Sequence, residues 1–502
     1  MIEIMDTTLR DGEQTSGVSF STHEKMSLAR LLLDDLGVNR IEIASARVSN
    51  GEFETVKRIA DWARSSGNID KVEILGFIDK GASLEWIKST GCHTINLLTK
   101  GSYKHVTEQL RKTPEQHLAD IVTEVKLAEE MGITVNLYLE DWSNGITHSE
   151  NYVYQLMDTL QHLRIKRFML PDTLGILTPH STWRNVRRMM TRYPKLHFDF
   201  HAHNDYDLAV ANTMVAAEVG VKGVHVTMNG LGERAGNASL SSVIAVFHDQ
   251  LKIETTINEE EINRVSRVAE SYSGLVIAAN QPIVGGNVFT QCAGIHADGD
   301  NKNNLYYNEL HPERFGRIRE YALGKLSGKS NISKNIQALG IELSDEDMQK
   351  VTNRVIELGD KKEIITQSDL PFIISDVLKQ TDKRKIRILA YAFSLTKGLR
   401  ATATVKIEID GKEYEQTAPG DGQYHAFSKA LWKIYTTLGK PKPELTNYTV
   451  YIPPGGRTDA LVQTLISWRF NGKEFKTQGL DADQTEAAVI ATEKMLNLIE
   501  DM

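Results

Sequence analysis

Across residues 1–255 short apolar runs alternate with amphipathic stretches at an even spacing, and this alternation constrains the fold more than any other feature of the chain. The runs that read as strands are Ile2–Thr8, Arg40–Ala46, Lys71–Phe77, Thr94–Thr99, Thr134–Glu140, Arg167–Asp172, Leu196–Phe200 and Gly223–Met228, eight in all. Helical patterns lie between them. The clearest opens at Ser21 with Glu24 in capping-box spacing, carries the apolar stripe Met26, Ala29, Leu32, Leu33 and Leu36, and stops at Gly37. Eight such units in roughly 250 residues predict a closed parallel (β/α)8 TIM barrel with its active site at the strand C-termini. A doubly wound open sheet is the alternative, but it does not account for eight evenly spaced units.

A barrel brings the polar residues just past each strand to one mouth. They are numerous here. Arg10-Asp11-Gly12-Glu13-Gln14 follows the first strand, Glu140-Asp141 ends the fifth, and Asp172-Thr173 ends the sixth. His201-Ala202-His203-Asn204-Asp205 follows the seventh, and NGLGERAGN (229–237) the eighth. Carboxylates and histidines gathered at a buried rim need partners or a metal to offset the loss of water. Asp199, His201 and His203 fall at alternate positions, which on a strand share one face. Two imidazoles there suit a divalent cation. A hydrogen-bonded histidine pair at a loop mouth is the plainer alternative.

The chain has 502 residues, 41% hydrophobic and 25% charged, ordinary for a globular protein and long enough for several domains. A net charge of −8 gives no basic field for nucleic acid or an anionic membrane, so an anionic ligand must be held by local groups. Cys92 and Cys292 are too few for a disulfide framework and lack metal-site spacing. No leader pattern or membrane-length apolar run is present, and a cytoplasmic enzyme is expected.

Beyond the 1–255 barrel, residues 256–325 read as an extension. A helical stretch at Glu259–Ser273 leads into the Gly/Asn-rich run GGNVFTQCAGIHADGDNKNNLYYNEL, and such irregular segments are often functional. Residues 326–385 read as a small helical module with apolar Ile336, Leu339, Val351, Val355 and Ile356. Residues 386–502 hold an internal repeat. At an offset of 61, Gly411-Lys412-Glu413 matches Gly472-Lys473-Glu474, and Ala426 and Ala430 match Ala487 and Ala491. Each copy reads as strand, hairpin turn, strand and helix, giving a duplicated α+β domain suited to ligand sensing at its seam or at a subunit interface.

A divalent cation held by Asp11, His201 and His203 leaves coordination positions open for the carboxylate and keto oxygens of a 2-oxo acid, which it would polarise. Asn237 can complete the shell, and Arg10 can steady developing alkoxide charge or simply pair with Glu13 or Asp11. Carbon–carbon bond formation then needs a base. Asn136, Tyr138 and Glu140 share a strand face, with Glu140 nearest the rim as a general-base or base-orienting candidate, or else a carboxylate bound to a neighbouring cation. His296 with Asp298 can supply a second acid–base group, although a loop histidine is more often plain surface.

LRDGEQ (9–14) followed by Lys25, together with FHAHND (200–205), closely resembles the metal-dependent acyl-CoA condensing enzymes that include isopropylmalate, homocitrate and citramalate synthases. The resemblance runs essentially end to end. IEIASARVS (41–49), LEDWSNG (139–145), LPDTLG (170–175), NGLGERAGN (229–237), HADGD (296–300) and PERFGR (312–317) are most similar to the citramalate-forming members. The resemblance implies condensation of acetyl-CoA with pyruvate and thioester hydrolysis, giving (R)-citramalate and CoA for isoleucine biosynthesis. It implies metal ligation by Asp11, His201 and His203 with Asn237 nearby, Arg10 and Thr173 at the keto acid, and Glu140 in the acid–base machinery. It further implies that His296, Asp298, Asn304 and Tyr306 complete the site from the partner subunit of a homodimer. Leu75, Leu98 and Tyr138 match the wall that selects the pyruvate methyl, and strand alternation lets them point inward, where ordinary barrel filling is the other reading. The C-terminal domain resembles a feedback domain, with isoleucine the implied effector.

One departure stands out. The broader family has Gly two residues after the HxHND aspartate, where this chain has Asp207, a residue suited to the first turn of a following helix. The metal stays open among Mg²⁺, Mn²⁺, Co²⁺ and Zn²⁺, and Lys100, Lys104 and Arg234 are CoA candidates by charge alone. Three rivals remain: an isopropylmalate synthase with a larger pocket for 2-oxoisovalerate, a hydroxyacyl-CoA lyase, and a non-catalytic scaffold. The lyase reading looks for a cysteine in the loop after the eighth strand, and NGLGERAGN has none.

Overall fold

The computed structural model describes residues 2–500 except 303, 304, 306, 339, 340, 342, 361–364, 366, 379–384, 452–461 and 482. Eight parallel strands close into a barrel in sequence order, β8 pairing back to β1. They are β1 (Glu3–Asp6), β2 (Arg40–Ser45), β3 (Val72–Phe77), β4 (Thr94–Lys100), β5 (Thr134–Glu140), β6 (Ile165–Asp172), β7 (Phe198–Ala202) and β8 (Gly223–Val226). β5 has the expected bounds, and no end of the other strands differs by more than two residues. The shift at β7 matters most, because it brings His201 onto the strand.

The helices form for the local reasons their sequence gives. Ser21 Oγ accepts from the Glu24 amide at 3.4 Å, and Glu24 Oε2 accepts from the Ser21 amide at 2.7 Å, so the helix Thr22–Arg30 starts with a reciprocal cap. It widens over Leu31–Asp35 and ends at Gly37, whose φ of 79° suits glycine. Leu28, Leu32, Leu33 and Leu36 are buried, each leucine contributing about 1.5–3 kcal/mol.

The lower interior of the barrel is charged. Arg40 NH1 lies 3.1 Å from both Glu73 oxygens, Arg40 NH2 lies 2.5 Å from Asp199 Oδ2, and Arg167 Nε donates to Glu3 at 2.9 Å. Buried charges are tolerable when matched in this way.

The chain divides into two compact units, Met1–Phe289 with Tyr307–Ile318, and Thr290–Tyr306 with Arg319–Met502. In the second, the helices Lys329–Ala338, Asp345–Asp360 and Leu370–Val377 enclose Ile332, Ile336, Val351, Val355 and Leu370. Leu339 lies outside the described residues, and Ile356 is only half-buried. The repeat follows. Ala401–Ile409 and Lys412–Gly420 match Val462–Phe470 and Lys473–Asp481 residue for residue at the offset of 61. Asp410-Gly411 and Asn471-Gly472 all have positive φ, as two-residue hairpin turns require. Each copy holds one strand more than expected, Ile386–Ser394 or Glu444–Tyr451, and these two do not share the offset. Among the described residues no helix is long and apolar enough to cross a membrane.

Candidate active site

The amides of Arg10, Asp11 and Gly12 all donate to the Thr7 carbonyl, at 3.1, 2.8 and 3.0 Å. This tight turn after β1 carries Asp11 to the mouth. His201 lies on β7, and His203 one residue beyond it. Asp11 Oδ2 is 3.2 Å from His201 Nε2 and 3.8 Å from His203 Nε2, and the ligating atoms of the three all lie within 4.8 Å of one another. All three residues are buried. Asn237 pairs with His203 through the backbone, and its Nδ2 donates to Leu231 O at 3.0 Å.

The unsatisfied atoms test whether a metal fits. Both Asp11 oxygens, His203 Nδ1 and Asn237 Oδ1 are buried without a hydrogen-bond partner. Orphaned buried polar atoms are costly, and two of these are the oxygens of the carboxylate whose ligating atom lies within 4.8 Å of those of both histidines. Burial opposes ionisation of Asp11, but Arg10, His201 and His203 outweigh it and hold the carboxyl well below its usual range. Burial lowers His201, and lowers His203 to about 4 with help from His201. A carboxylate beside neutral imidazoles is the donor set a divalent cation requires, and the cluster fits one.

Arg10 is gripped from three sides. Nε donates to Glu42, NH1 lies 3.5 Å from Asp11 Oδ1, and NH2 lies 3.5 Å from the Tyr138 hydroxyl. Burial works against its charge, but Glu42 and Asp11 outweigh it and the guanidinium stays protonated. Tyr138 also joins the cation site to an apolar patch. Its ring centroid is 6.1 Å from that of His201, and it packs with Leu75, Met5 and Met169, with Leu98 against them, as a cluster separate from the main core. The three wall residues expected from the sequence are thus together, and two methionines join them.

Glu140 ends β5 near the rim and is ion-paired with Lys100, the plainer of its two expected states. Thr173 Oγ1 accepts from the Asp141 amide at 2.9 Å. Arg234 binds Asp205 at 2.7 Å and the Thr173 carbonyl at 2.7 Å, so two of the three cations considered for CoA already have partners, while Lys104 is exposed. His296 and Asp298 lie on the helix Gly294–Asn301 of the second unit, where Asp298 pairs with Lys302 at 2.6 Å. Asn304 and Tyr306 fall outside the described residues. Asp207 is not in the first turn of a helix. The helix begins at Ala209, and Asp207 sits in the preceding turn at φ 59°, where glycine carries no steric cost.

Glu42, which holds Arg10, was not foreseen. Nor was Asn96, which donates to Glu42 at 2.7 Å and accepts at 2.9 Å from Asn136, the residue expected on the strand face of Tyr138. The available signal was a single polar residue inside each of the apolar runs of β2, β4 and β5.

Residues 1–269 match the family model described as HMGL-like, residues 283–363 the homocitrate synthase post-HMGL domain-like model, and residues 364–500 the LeuA allosteric (dimerisation) domain. The chain belongs to the HMGL-like family, in its citramalate and 2-isopropylmalate synthase group. It is 34% identical over 502 residues to the (R)-citramalate synthase of Methanocaldococcus jannaschii, covering 99% of both chains. It is 33% identical over 512 residues to the 2-isopropylmalate synthase of Pyrococcus furiosus, again covering 99% of both. Overall identity therefore does not choose the acceptor.

Proposed function

We propose that this enzyme condenses acetyl-CoA with pyruvate and hydrolyses the resulting thioester, releasing citramalate and CoA. The coarser reaction, acyl-CoA condensation of the citramalate or isopropylmalate synthase type, follows from the family. The choice of pyruvate rests on one observation: Leu75, Leu98, Tyr138, Met5 and Met169 form a filled apolar wall around a tyrosine that also meets Arg10 and His201. Such a wall favours a methyl over an isopropyl group, each methylene being worth about 1–3 kcal/mol.

When bound by Asp11, His201 and His203, with Asn237 beside them, a divalent cation supplies Lewis acidity toward the keto oxygen. Arg10, held in place by Glu42, donates to the oxygen on which charge develops. Thr173 binds the keto acid. Glu140, fixed by Lys100, takes the methyl proton of the thioester or orients the group that does. His296, Asp298, Asn304 and Tyr306 of a second subunit complete the acid–base set in this reading. Catalysis is assigned to 1–255, completion of the partner's site to 256–325, and regulation to 386–502 beyond a helical link at 326–385. Isoleucine is the proposed effector. A cleft of about 570 Å³ between the N-termini of the two repeat helices, lined by Tyr424, His425, Leu445, Tyr448, Asp483 and Gln484, supports an effector seat there.

Release of CoA thiol from acetyl-CoA, measured with pyruvate, 2-oxobutyrate and 2-oxoisovalerate, tests the reading. The largest kcat/KM is expected for pyruvate. A larger value for 2-oxoisovalerate would establish an isopropylmalate synthase, the reading the Pyrococcus furiosus relative favours. No release with any 2-oxo acid would sink the reaction itself.

A further inference from the structure

The innermost polar contacts of the barrel include a chain that the reaction above leaves unused. Asp199, two residues before His201, is fully buried and faces three donors. His197 Nε2 lies 2.9 Å from its Oδ1, while Arg40 NH2 at 2.5 Å and His225 Nε2 at 3.2 Å share Oδ2. The space for this carboxylate is reserved, since a Cβ at Gly223 would come within 2.2 Å of Asp199 Oδ1. The other nitrogen of His225, Nδ1, lies 3.0 Å from the Tyr138 hydroxyl, and that hydroxyl lies 3.5 Å from Arg10 NH2. Asp199, His225 and Tyr138 are 0%, 1% and 3% exposed, so protein groups set these hydrogen bonds.

Donor and acceptor capacity fixes their direction. A carboxylate accepts only, and a neutral imidazole has one N–H and one lone pair. With Asp199 at Nε2, the His225 proton sits there and Nδ1 is left as an acceptor. The Tyr138 O–H must then point at Nδ1, which leaves the phenol oxygen's lone pairs toward Arg10. Were the imidazole proton on Nδ1 instead, the Tyr138 proton would turn outward and two donors would oppose one another at Arg10.

We propose that Asp199 and His225 are positioning residues that aim the Tyr138 hydroxyl proton away from the site, so that the phenol oxygen meets Arg10 and the acceptor pocket as a hydrogen-bond acceptor. This rests on the reading of Tyr138 and Arg10 as acceptor-binding groups. The relay is expected to act on the 2-oxo acid, because it ends at Tyr138 and Arg10, the groups assigned to the acceptor. Two roles would then share one barrel strand: His201 belongs to the candidate cation site, and Asp199, one layer deeper on β7, acts through His225 of β8 on a tyrosine of β5.

Two measurements on the full-length protein decide it. Nitrogen NMR of isotope-labelled histidines reads the tautomer directly, the His225 signal being the one that disappears in His225→Gln. A proton on Nε2 is expected, and a proton on Nδ1 overturns the relay. In steady-state kinetics, Asp199→Asn and His225→Gln are expected to lower kcat/KM for the 2-oxo acid about 10- to 100-fold, as loss of a supporting hydrogen bond does elsewhere, with KM for acetyl-CoA unchanged. Tyr138→Phe combined with His225→Gln should be no worse than Tyr138→Phe alone, because the relay works only through the hydroxyl. Additive losses, or equal losses in both substrates' constants, would mark a merely structural role and overturn the proposal. The tautomer needs no turnover. The expected tautomer in a protein inactive on every 2-oxo acid would therefore uphold the relay and reject the reaction, whereas the opposite tautomer in an active enzyme would do the reverse.

Discussion

Lys25 is fully buried, with Nζ 2.7 Å from Glu13 Oε2, hydrogen-bonded to Glu52 Oε1 and 3.3 Å from the Ile43 carbonyl. Lys25→Met keeps most of the stem and deletes the charge. At an effective dielectric of about 20, one such pair is worth about 6 kcal/mol before desolvation. Removing one partner of a buried pair costs about 3–5 kcal/mol. The side chains of Glu13 and Glu52 remain 24% and 17% exposed, so water reaches both, and the lower end, about 3 kcal/mol, is expected here. At about 2–4 °C per kcal/mol for a domain of this size, the barrel transition should fall by about 6–12 °C. The loss should also depend on pH in one direction. Burial already raises Glu52 against the pull of Lys25, and without the lysine it rises further. A group whose folded pKa exceeds its unfolded value stabilises the fold below that range and loses this as pH rises through the folded pKa, so the deficit of Lys25→Met should shrink between pH 8 and pH 5. Calorimetry at those two pH values reads both effects. A variant melting with the parent at pH 8, or an equal deficit at both, would refute the reasoning.

Asp11→Asn and His203→Ala should each weaken binding of a divalent cation by more than the about 100-fold typical of losing an outer hydrogen-bond partner, read by titration calorimetry on chelator-treated protein; undiminished binding would remove the metal centre. Leu75→Ala should move the ratio of kcat/KM values for 2-oxoisovalerate over pyruvate upward by about 10-fold or more, and an unchanged ratio would mean that the wall does not select. Burial pushes Asp6 up to about 7 against hydrogen bonds from Thr8, so it stabilises the fold fully below its unfolded pKa and loses this as pH rises through about 7. Asp6→Asn should therefore flatten the fall of Tm between pH 5 and 7, and an identical slope in parent and variant would contradict the assignment.

What the sequence disclosed follows from the range over which each signal acts. Period-two alternation is local, so β5 could be bounded to the residue and Tyr138 placed one layer below Glu140. The end of β8 could not. Met228 leaves the strand because its amide donates to Thr8 Oγ1 at 2.7 Å, a partner from the neighbouring β1 rim that is 220 residues away in sequence, and Asn229 follows at φ 57°. Asp207 illustrates the same limit, since composition suits it to a helix start while its backbone is set by the turn before Ala209.

The charged interior explains why the candidate metal cluster is more legible in the sequence than the groups that hold Arg10. Asp11, His201 and His203 belong to short runs of polar residues, and such runs are conspicuous. Glu42, Asn96 and His225 are single polar residues among isoleucines, leucines and valines, and each is tolerated in a dry barrel only because another such residue faces it from a different strand. Their function is a property of the pairing, and the pairing exists only after closure. A lone polar residue in the middle of an apolar barrel strand is therefore a site prediction in itself: it requires a partner across the interior, and the chain of partners it begins ends, in this protein, at Arg10.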